Sequence, residues 1–296
     1  MEMIVSPRTS GAARERLAHL AFARDSLLCR EARGFPPAKQ DLFLATYMAM
    51  RVIDDHVDGL EDTDRGPDGP ALPLISRWRE AVRRAATGRV SPGWGPLETD
   101  IFCLLARTLP DAGLGEQPWN ALEQAMLFDA QGGILHTFSD FLSYAEGATV
   151  APTYIFIWLL ACDDSMKIQP PSADHERLWA LARPLAVRCY LAHIMRDLVE
   201  DARSGEALLT IPRELHADLV ADRSELAARL ARGERLLAGH LRKRLFERFV
   251  AMSAESEAAR VGLSAFLDDD AQKVLARILG HYSACARMIG EAGFED

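Results

Sequence analysis

Apolar residues recur every three to four positions along most of this 296-residue chain, which is the spacing of one face of an α-helix. Runs of β-branched residues that alternate with polar ones, the pattern of a half-buried strand, are nearly absent. Breaks rich in glycine and proline separate stretches of helical length, at residues 34–37, 65–73, 87–96, 109–118 and 163–175 and around Pro212. The pattern predicts an all-α chain of roughly ten helices. No linker divides it, so we expect a single domain over residues 1–296.

Two of the predicted helices carry acidic residues near their C-terminal ends. The first begins near Pro37, since proline is favoured in the first turn, and runs through KQDLFLATYMAMRVIDDHVDGL. The second begins near Pro184, runs through LAVRCYLAHIMRDLVEDARSG and ends near Gly205, which is a suitable C-cap.

The first helix ends in Asp54, Asp55 and Asp58. At about 100° per residue, Asp54 and Asp58 share a face one turn apart. The same face carries Tyr47 and Arg51. A merely solvated helix places its acidic residues opposite its apolar face, whereas this helix places them at the end of that face.

The second helix repeats the arrangement. Asp197 and Asp201 are again four residues apart, and Glu200 lies beside them. Tyr190 and His193 lie further up the same face. Arg196 precedes the first aspartate, as Arg51 precedes the first cluster.

Together the two clusters would bring six acidic side chains to one cavity: Asp54, Asp55, Asp58, Asp197, Glu200 and Asp201. Like charges repel, more strongly when they are buried, so such a site requires cations. Mg²⁺ prefers carboxylate oxygens and is usually bound by one or two of them together with substrate phosphates. Facing clusters could hold a diphosphate through Mg²⁺, with Arg51 and Arg196 on its oxygens. A single D-x-x-x-D sequence is more often a solvated face, so this prediction depends on there being two.

The remaining composition excludes several classes of function. A net charge of −9 argues against binding to nucleic acid and against a general attraction to anionic lipid, so at most peripheral membrane contact is expected. The longest apolar stretch, Val150 to Cys162, is too short to span a bilayer and contains Pro152. The five cysteines are scattered, which is typical of a reducing compartment. The N-terminus lacks the apolar run of a signal peptide. We therefore expect a soluble, cytoplasmic protein.

Three segments resemble the squalene and phytoene synthase family. ATYMAMRVIDDHVD is similar to the first aspartate-rich helix of that family, which has a Tyr, an Arg and then D-D-x-x-D. HIMRDLVEDARSGEALLTIPREL resembles the second, where R-D-x-x-E-D-x-x-x-G is followed by a proline-led helix. Between them, DAQGGILHTFSDFLSY followed by AEGATV resembles the segment D…TF…L..Y with its small residues. The C-terminal third carries no motif of the family.

The resemblance implies an all-α isoprenoid synthase fold, a helical bundle around a central cavity. It implies Mg²⁺ ligands at Asp54, Asp58, Asp197 and Asp201, assisted by Asp55 and Glu200. It further implies that Tyr47, Arg51 and Arg196 line the diphosphate site, and that the hydrocarbon pocket includes Tyr144, Gly147, Thr149 and Val150. The family joins two prenyl diphosphates head to head, so farnesyl or geranylgeranyl diphosphate is the expected substrate.

The sequence departs from the family pattern before the second cluster. Where the family reads G-x-x-x-Q-x-x-N-x-x-R-D, this chain has Ala186, Tyr190, His193, Arg196 and Asp197. A phenol and an imidazole thus replace two amides. Tyr190 could stabilise a carbocation through its ring, and a neutral His193 could act as a base. The alternative for each is a hydrogen-bonded packing residue.

Three hypotheses follow. The leading one is a Mg²⁺-dependent prenyl transferase that ionises one allylic diphosphate and condenses it with a second. The next keeps the fold and metals but is a terpene cyclase, which acts on a single prenyl diphosphate. The third is a non-catalytic scaffold relative, which we would expect to have lost the acidic residues. No nicotinamide motif is present, so a reductive step is not predicted either way.

Overall fold

The computed structural model describes residues 11–23, 26–59, 66, 69–162, 174–204, 208 and 210–294. All regular elements in these ranges are helical, which confirms the predicted fold class. In chain order the helices are α1 (Gly11–Ala23), α2 (Leu27–Ala32), α3 (Pro37–Asp58), α4 (Ala71–Ala85), α5 (Pro96–Thr108), α6 (Gln117–Ala130), α7 (Phe138–Ala145), α8 (Ala151–Ala161), α9 (Asp174–Arg203), α10 (Arg223–Ala231), α11 (Arg235–Ala251), α12 (Ser253–Leu263) and α13 (Asp269–Glu291). A π-helical turn, Glu146–Val150, joins α7 to α8, and a 3₁₀ turn, Arg213–Leu215, precedes α10.

The two helices with acidic ends occupy different parts of the bundle. The main partners of α3 are α1, α4, α5, α6 and α8, whereas α9 packs chiefly against α8, the π turn and α10 to α13. Helix α8 contacts both. It is apolar on every side and residues 154–160 are buried, as expected for a helix in the centre of a bundle. None of the described helices combines the length and the apolar character needed to span a bilayer.

Helix α3 starts at Pro37 as predicted, but the predicted start of α9 is wrong. This helix begins at Asp174, so Pro184 lies inside it. An internal proline removes one backbone hydrogen bond, here the one to the carbonyl of Ala180. Leu178 and Ala182 are fully buried before it and Leu185 after it, so packing of the helix offsets that loss. The predicted C-cap, Gly205, lies outside the described residues.

The π turn is fixed by contacts on two sides. Gly147 lies against α6 so closely that a Cβ there would be 2.1 Å from the carbonyl oxygen of Ala121. From α9, Trp179 donates a hydrogen bond of 2.8 Å to Glu146, and Arg183 forms an ion pair with the same carboxylate. The turn therefore holds α6, α8 and α9 together where the chain passes the cavity.

Candidate active site

A cavity of about 220 Å³ lies between α2, the π turn, α8, α9 and α13. Most of its wall is apolar, with Phe156 as its aromatic member from α8. Polar groups come from Thr149, Tyr190, His193 and Tyr282. The full lining is Leu28, Ala148, Thr149, Pro152, Thr153, Phe156, Ile157, Leu185, Cys189, Tyr190, His193, Leu275, Ile278, Leu279 and Tyr282. Such a wall suits a hydrocarbon chain with a few oriented polar contacts.

The first carboxylate cluster surrounds Arg51. This guanidinium forms an ion pair with Asp54 and lies 2.7 Å from Asp55. Burial lowers the pKa of Arg51, but the charges of Asp54, Asp55 and Asp58 outweigh it and the net shift is upward. One turn earlier, burial raises the pKa of Tyr47 to about 12. The arginine is therefore charged and held at the cluster, with a neutral phenol beside it.

The second cluster is built around Arg196. Its Nε and Nη2 each donate to a different oxygen of Asp197 at 2.6 Å, and Nη2 lies 2.8 Å from Nδ1 of His193. Burial raises the pKa of Asp197, but the hydrogen bond from Arg196 and the nearby His193 prevail and the net shift is downward. Glu200 is exposed and Asp201 is half-buried on the next turn. Asp197 is thus an ionised carboxylate at the edge of the cavity.

Tyr190 of α9 lies within electrostatic range of the first cluster. It projects from α9 into the cavity wall, and burial raises the pKa of its phenol. Asp129, Asp54 and Asp58 raise this pKa further, so the carboxylates of α3 lie close enough to act on a side chain of α9. The acidic end of α3 is therefore near the face of α9 that carries Tyr190.

Comparison with known proteins places this geometry in a family. The chain matches the squalene/phytoene synthase family over residues 30–295. It belongs to that family. No curated relative matches the chain in sequence. Among solved structures, the squalene synthase HpnC from Alicyclobacillus acidocaldarius has a similar fold, with a TM-score of 0.71, 18% identity, and coverage of 99% of this chain and 98% of that one. A dehydrosqualene synthase in complex with a ligand gives a TM-score of 0.61, 14% identity, and coverage of 98% and 90%.

The protein is accordingly a prenyltransferase of the squalene/phytoene synthase type, as the two aspartate motifs predicted. The scaffold hypothesis is not supported by this membership. At these identities the two solved structures establish the fold alone.

In this squalene/phytoene synthase family member, part of the segment between the motifs reaches the cavity wall. Thr149 lines the cavity together with its neighbour Ala148. Gly147 is buried against α6, and Val150 is also buried without reaching the cavity wall. The absence of a side chain at Gly147 therefore lets the π turn approach α6 closely.

Tyr144 is likewise placed behind the cavity wall. Its hydroxyl donates to Asp129 at 2.9 Å, and its ring lies 5.5 Å from that of Phe128. Burial raises its pKa well above the ordinary value, and the nearby Tyr190, Asp129 and Asp54 raise it further. Tyr190 itself stacks on Phe141 at 5.9 Å.

Two residues of the site were not predicted from the sequence. Tyr282 of α13 lines the cavity, and the charges of Arg196 and Asp197 both act on its phenol, so it stands beside the second cluster. Asp129 of α6 has only 3% of its surface exposed although it is acidic. A buried carboxylate followed 15 residues later by a tyrosine is a signal of function only when their contact is known.

The donor chemistry of the two clusters fits Mg²⁺. All six acidic side chains offer hard oxygen ligands, and Asp54 and Asp197 are each paired with an arginine. Within the described ranges, no three acidic, histidine or cysteine side chains converge as a complete metal site. An ion bound by one or two carboxylates and completed by phosphate oxygens needs no such convergence. Asp54, Asp58, Asp197 and Asp201 are the residues that would hold it.

Proposed function

We propose that this protein is a Mg²⁺-dependent prenyl transferase that ionises an allylic isoprenyl diphosphate and condenses it with a second one. Farnesyl or geranylgeranyl diphosphate is the substrate we would test first. The observation that carries the proposal is the influence of Asp54 and Asp58 on Tyr190. It supports an arrangement in which two acidic clusters from distant parts of the chain act at the polar end of one apolar cavity.

The two arginines are positioned to bind the diphosphate. Arg51 and Arg196 are already held beside the carboxylates, with the charge and donor geometry that phosphate oxygens require. When bound, Mg²⁺ neutralises the charge that develops on the diphosphate leaving group. Asp54, Asp58, Asp197 and Asp201 would hold the cation, and Arg51 and Arg196 would bind the phosphate oxygens in place of their present carboxylate partners.

The cavity wall would protect and stabilise the carbocation that forms when the diphosphate leaves. Its apolar side chains keep water away from the carbocation, which would otherwise be trapped as an alcohol. Tyr190 and Phe156 line the cavity, and aromatic rings there would stabilise positive charge. Phe156 is fixed in place by Phe35 and Phe43, whose ring centroids lie 5.5 and 6.1 Å away.

A second candidate, a terpene cyclase that acts on one diphosphate, is favoured by Tyr190 and His193. Both line the cavity, at positions where the family sequence has amides. Incubation with radiolabelled farnesyl and geranylgeranyl diphosphates, followed by mass spectrometry of organic extracts, separates the two functions. Products with twice the carbon count of the substrate support condensation. Cyclic products with the carbon count of one substrate overturn it in favour of the cyclase.

A further inference from the structure

The carboxylate of Glu146 joins the π turn to α9 behind the cavity wall. Its two oxygens have different partners: one accepts a hydrogen bond of 2.8 Å from Nε1 of Trp179, and the other forms an ion pair with Arg183. Trp179 and Arg183 lie one turn apart on the same face of α9. Glu146 itself does not line the cavity. One acidic side chain therefore holds two elements together, and both elements reach the cavity further along the chain.

The residues that follow this contact form part of the cavity wall on both sides. In the π turn, Ala148 and Thr149 line the cavity shortly after Glu146. In α9, the wall begins at Leu185, two residues after Arg183. The π turn packs directly on α9. A change in the spacing between the π turn and α9 is therefore a change in the width of the cavity.

Helix α9 is weakened immediately after this contact. Pro184 follows Arg183 and removes the hydrogen bond that the carbonyl of Ala180 would accept. Sharp bends in helices occur at proline. Every α9 residue in the cavity wall comes after Pro184, whereas Trp179 and Arg183 come before it. Glu146 thus anchors α9 on one side of its weak point, and this anchor helps to set the direction of the part that bears the wall.

The same contact is a weak source of stability. The side chain of Glu146 is 28% exposed and that of Arg183 is 43% exposed, and solvent screens ion pairs of this kind. On its other side the π turn is already fixed by the close packing of Gly147 against α6. Loss of the Glu146 carboxylate should therefore alter the shape of the cavity more than it alters the stability of the fold.

We propose that Glu146 is a positioning residue that sets the width of the cavity, and with it the length of the prenyl chain that the enzyme accepts. This inference rests on the function proposed above. With Glu146 in place, the π turn and α9 are held at one spacing. Without it, α9 is released ahead of Pro184, the cavity gains width, and longer chains gain access relative to shorter ones.

The test compares Glu146→Ala with Glu234→Ala as the matched control. Glu234 also accepts hydrogen bonds through both of its oxygens, here from Arg229, and its side chain is 39% exposed, but it does not line the cavity. Pyrophosphate release is measured with geranylgeranyl diphosphate and with farnesyl diphosphate. The ratio of the two kcat/KM values is then compared between the variants. Urea unfolding shows whether each variant is folded.

Glu146→Ala should raise the ratio of geranylgeranyl to farnesyl kcat/KM by about tenfold, because one methylene in an apolar pocket already changes specificity by about this factor. Glu146→Gln keeps an oxygen for Trp179 but loses the charge that attracts Arg183. Its ratio should therefore lie between those of the wild type and Glu146→Ala. Trp179→Phe should shift the ratio in the same direction, and Glu234→Ala should leave it unchanged.

A wild-type ratio in Glu146→Ala overturns the proposal, whether activity is kept or falls equally on both substrates. If Glu146→Ala does not fold, Glu146→Gln and Trp179→Phe decide by the same criterion. Failure of the proposed function would be seen differently. Wild-type protein that releases no pyrophosphate from either substrate overturns the function and this inference together, whereas an active wild type with an unchanged ratio in the variants overturns the positioning role alone.

Discussion

Arg196 donates two hydrogen bonds of 2.6 Å to Asp197, one to each carboxylate oxygen. The same guanidinium lies 2.8 Å from Nδ1 of His193. Because arginine has no acceptor, Nδ1 of His193 must accept, which places the proton of the neutral imidazole on Nε2. On α3, Arg51 pairs instead with two carboxylates, those of Asp54 and Asp55. Each cluster is thus organised by one arginine.

Arg196→Lys should weaken substrate binding. Lysine keeps the charge but cannot donate in the planar, two-pronged geometry that arginine offers to Asp197 and to phosphate. We expect KM for the prenyl diphosphate to rise about tenfold, which corresponds to about 1.4 kcal/mol. Steady-state kinetics measures this. Arg260→Lys is the control, because Arg260 makes a similar two-pronged pair with Glu257 on the surface. An equal effect in both variants would contradict the assignment.

Asp54→Asn and Asp197→Asn should each reduce turnover by about 100-fold or more. An amide in place of a carboxylate removes a metal ligand and the negative charge that attracts the cation. Pyrophosphate release measures turnover, and thermal unfolding checks that both variants remain folded. Asp270→Asn is the control because Asp270 is an exposed residue in the first turn of α13, paired with Lys273. Full activity in either cluster variant would contradict the assignment of these aspartates as metal ligands.

Gly147→Ala should destabilise the fold at the π turn. The added Cβ would lie 2.1 Å from the Ala121 carbonyl oxygen and 2.6 Å from the Cβ of Ala125, so backbone must shift. We expect a loss of about 1–3 kcal/mol or more in the free energy of unfolding, measured with urea. Gly280→Ala in α13 is the matched change: nothing lies within 4 Å of its added Cβ, and it should gain up to about 1 kcal/mol. Equal stabilities would show that α6 and the π turn are not in close contact.

The free energy of unfolding should fall as the pH drops through about 6.5. Burial lowers the pKa of His216, whose nearest charged groups are Arg213, Arg223, Asp218 and Asp222, and burial likewise lowers that of His193. Unfolded histidine titrates near 6.5, so below this pH the unfolded chain binds more protons and the folded state loses stability. Above it the contribution is fully present.

Urea titrations at pH 7.5 and 5.5 measure this loss. His216→Gln should reduce the difference between the two pH values, by at most about 1.4 kcal/mol per pH unit for one group. His240→Gln, which changes an exposed histidine of α11, should leave the difference as in the wild type. If both variants retained the whole difference, His216 would not be its source.

The sequence was sufficient to predict that two helices carry the acidic clusters, and for α3 it also predicted where the helix begins. Helix α3 has proline at its start, a continuous apolar face and acids at its end, so its bounds and its cluster follow from local pattern. The start of α9 does not follow from local pattern, because proline usually marks a helix boundary and Pro184 lies inside this helix. The buried contacts that extend the helix back to Asp174 come from helices distant in the chain.

The cavity illustrates the same limit. Tyr190 and His193 were predicted from their spacing relative to Asp197, and both line its wall. Tyr282 lies 85 residues beyond Asp197 on a helix with an ordinary amphipathic pattern, and no local feature distinguishes it. Asp129 acquires its meaning only through contact with Tyr144. Residues that reach the site through tertiary packing alone cannot be selected from one sequence.

The most direct test of the central claim is pyrophosphate release from farnesyl and geranylgeranyl diphosphates, measured first after treatment with a chelator and then as Mg²⁺ is restored. We predict that release is abolished by the chelator and returns with Mg²⁺ in the wild type, but does not return in Asp54→Asn or Asp197→Asn. Release that continues at the full rate in the chelated wild-type enzyme would contradict the claim that the two aspartate clusters ionise the diphosphate through magnesium.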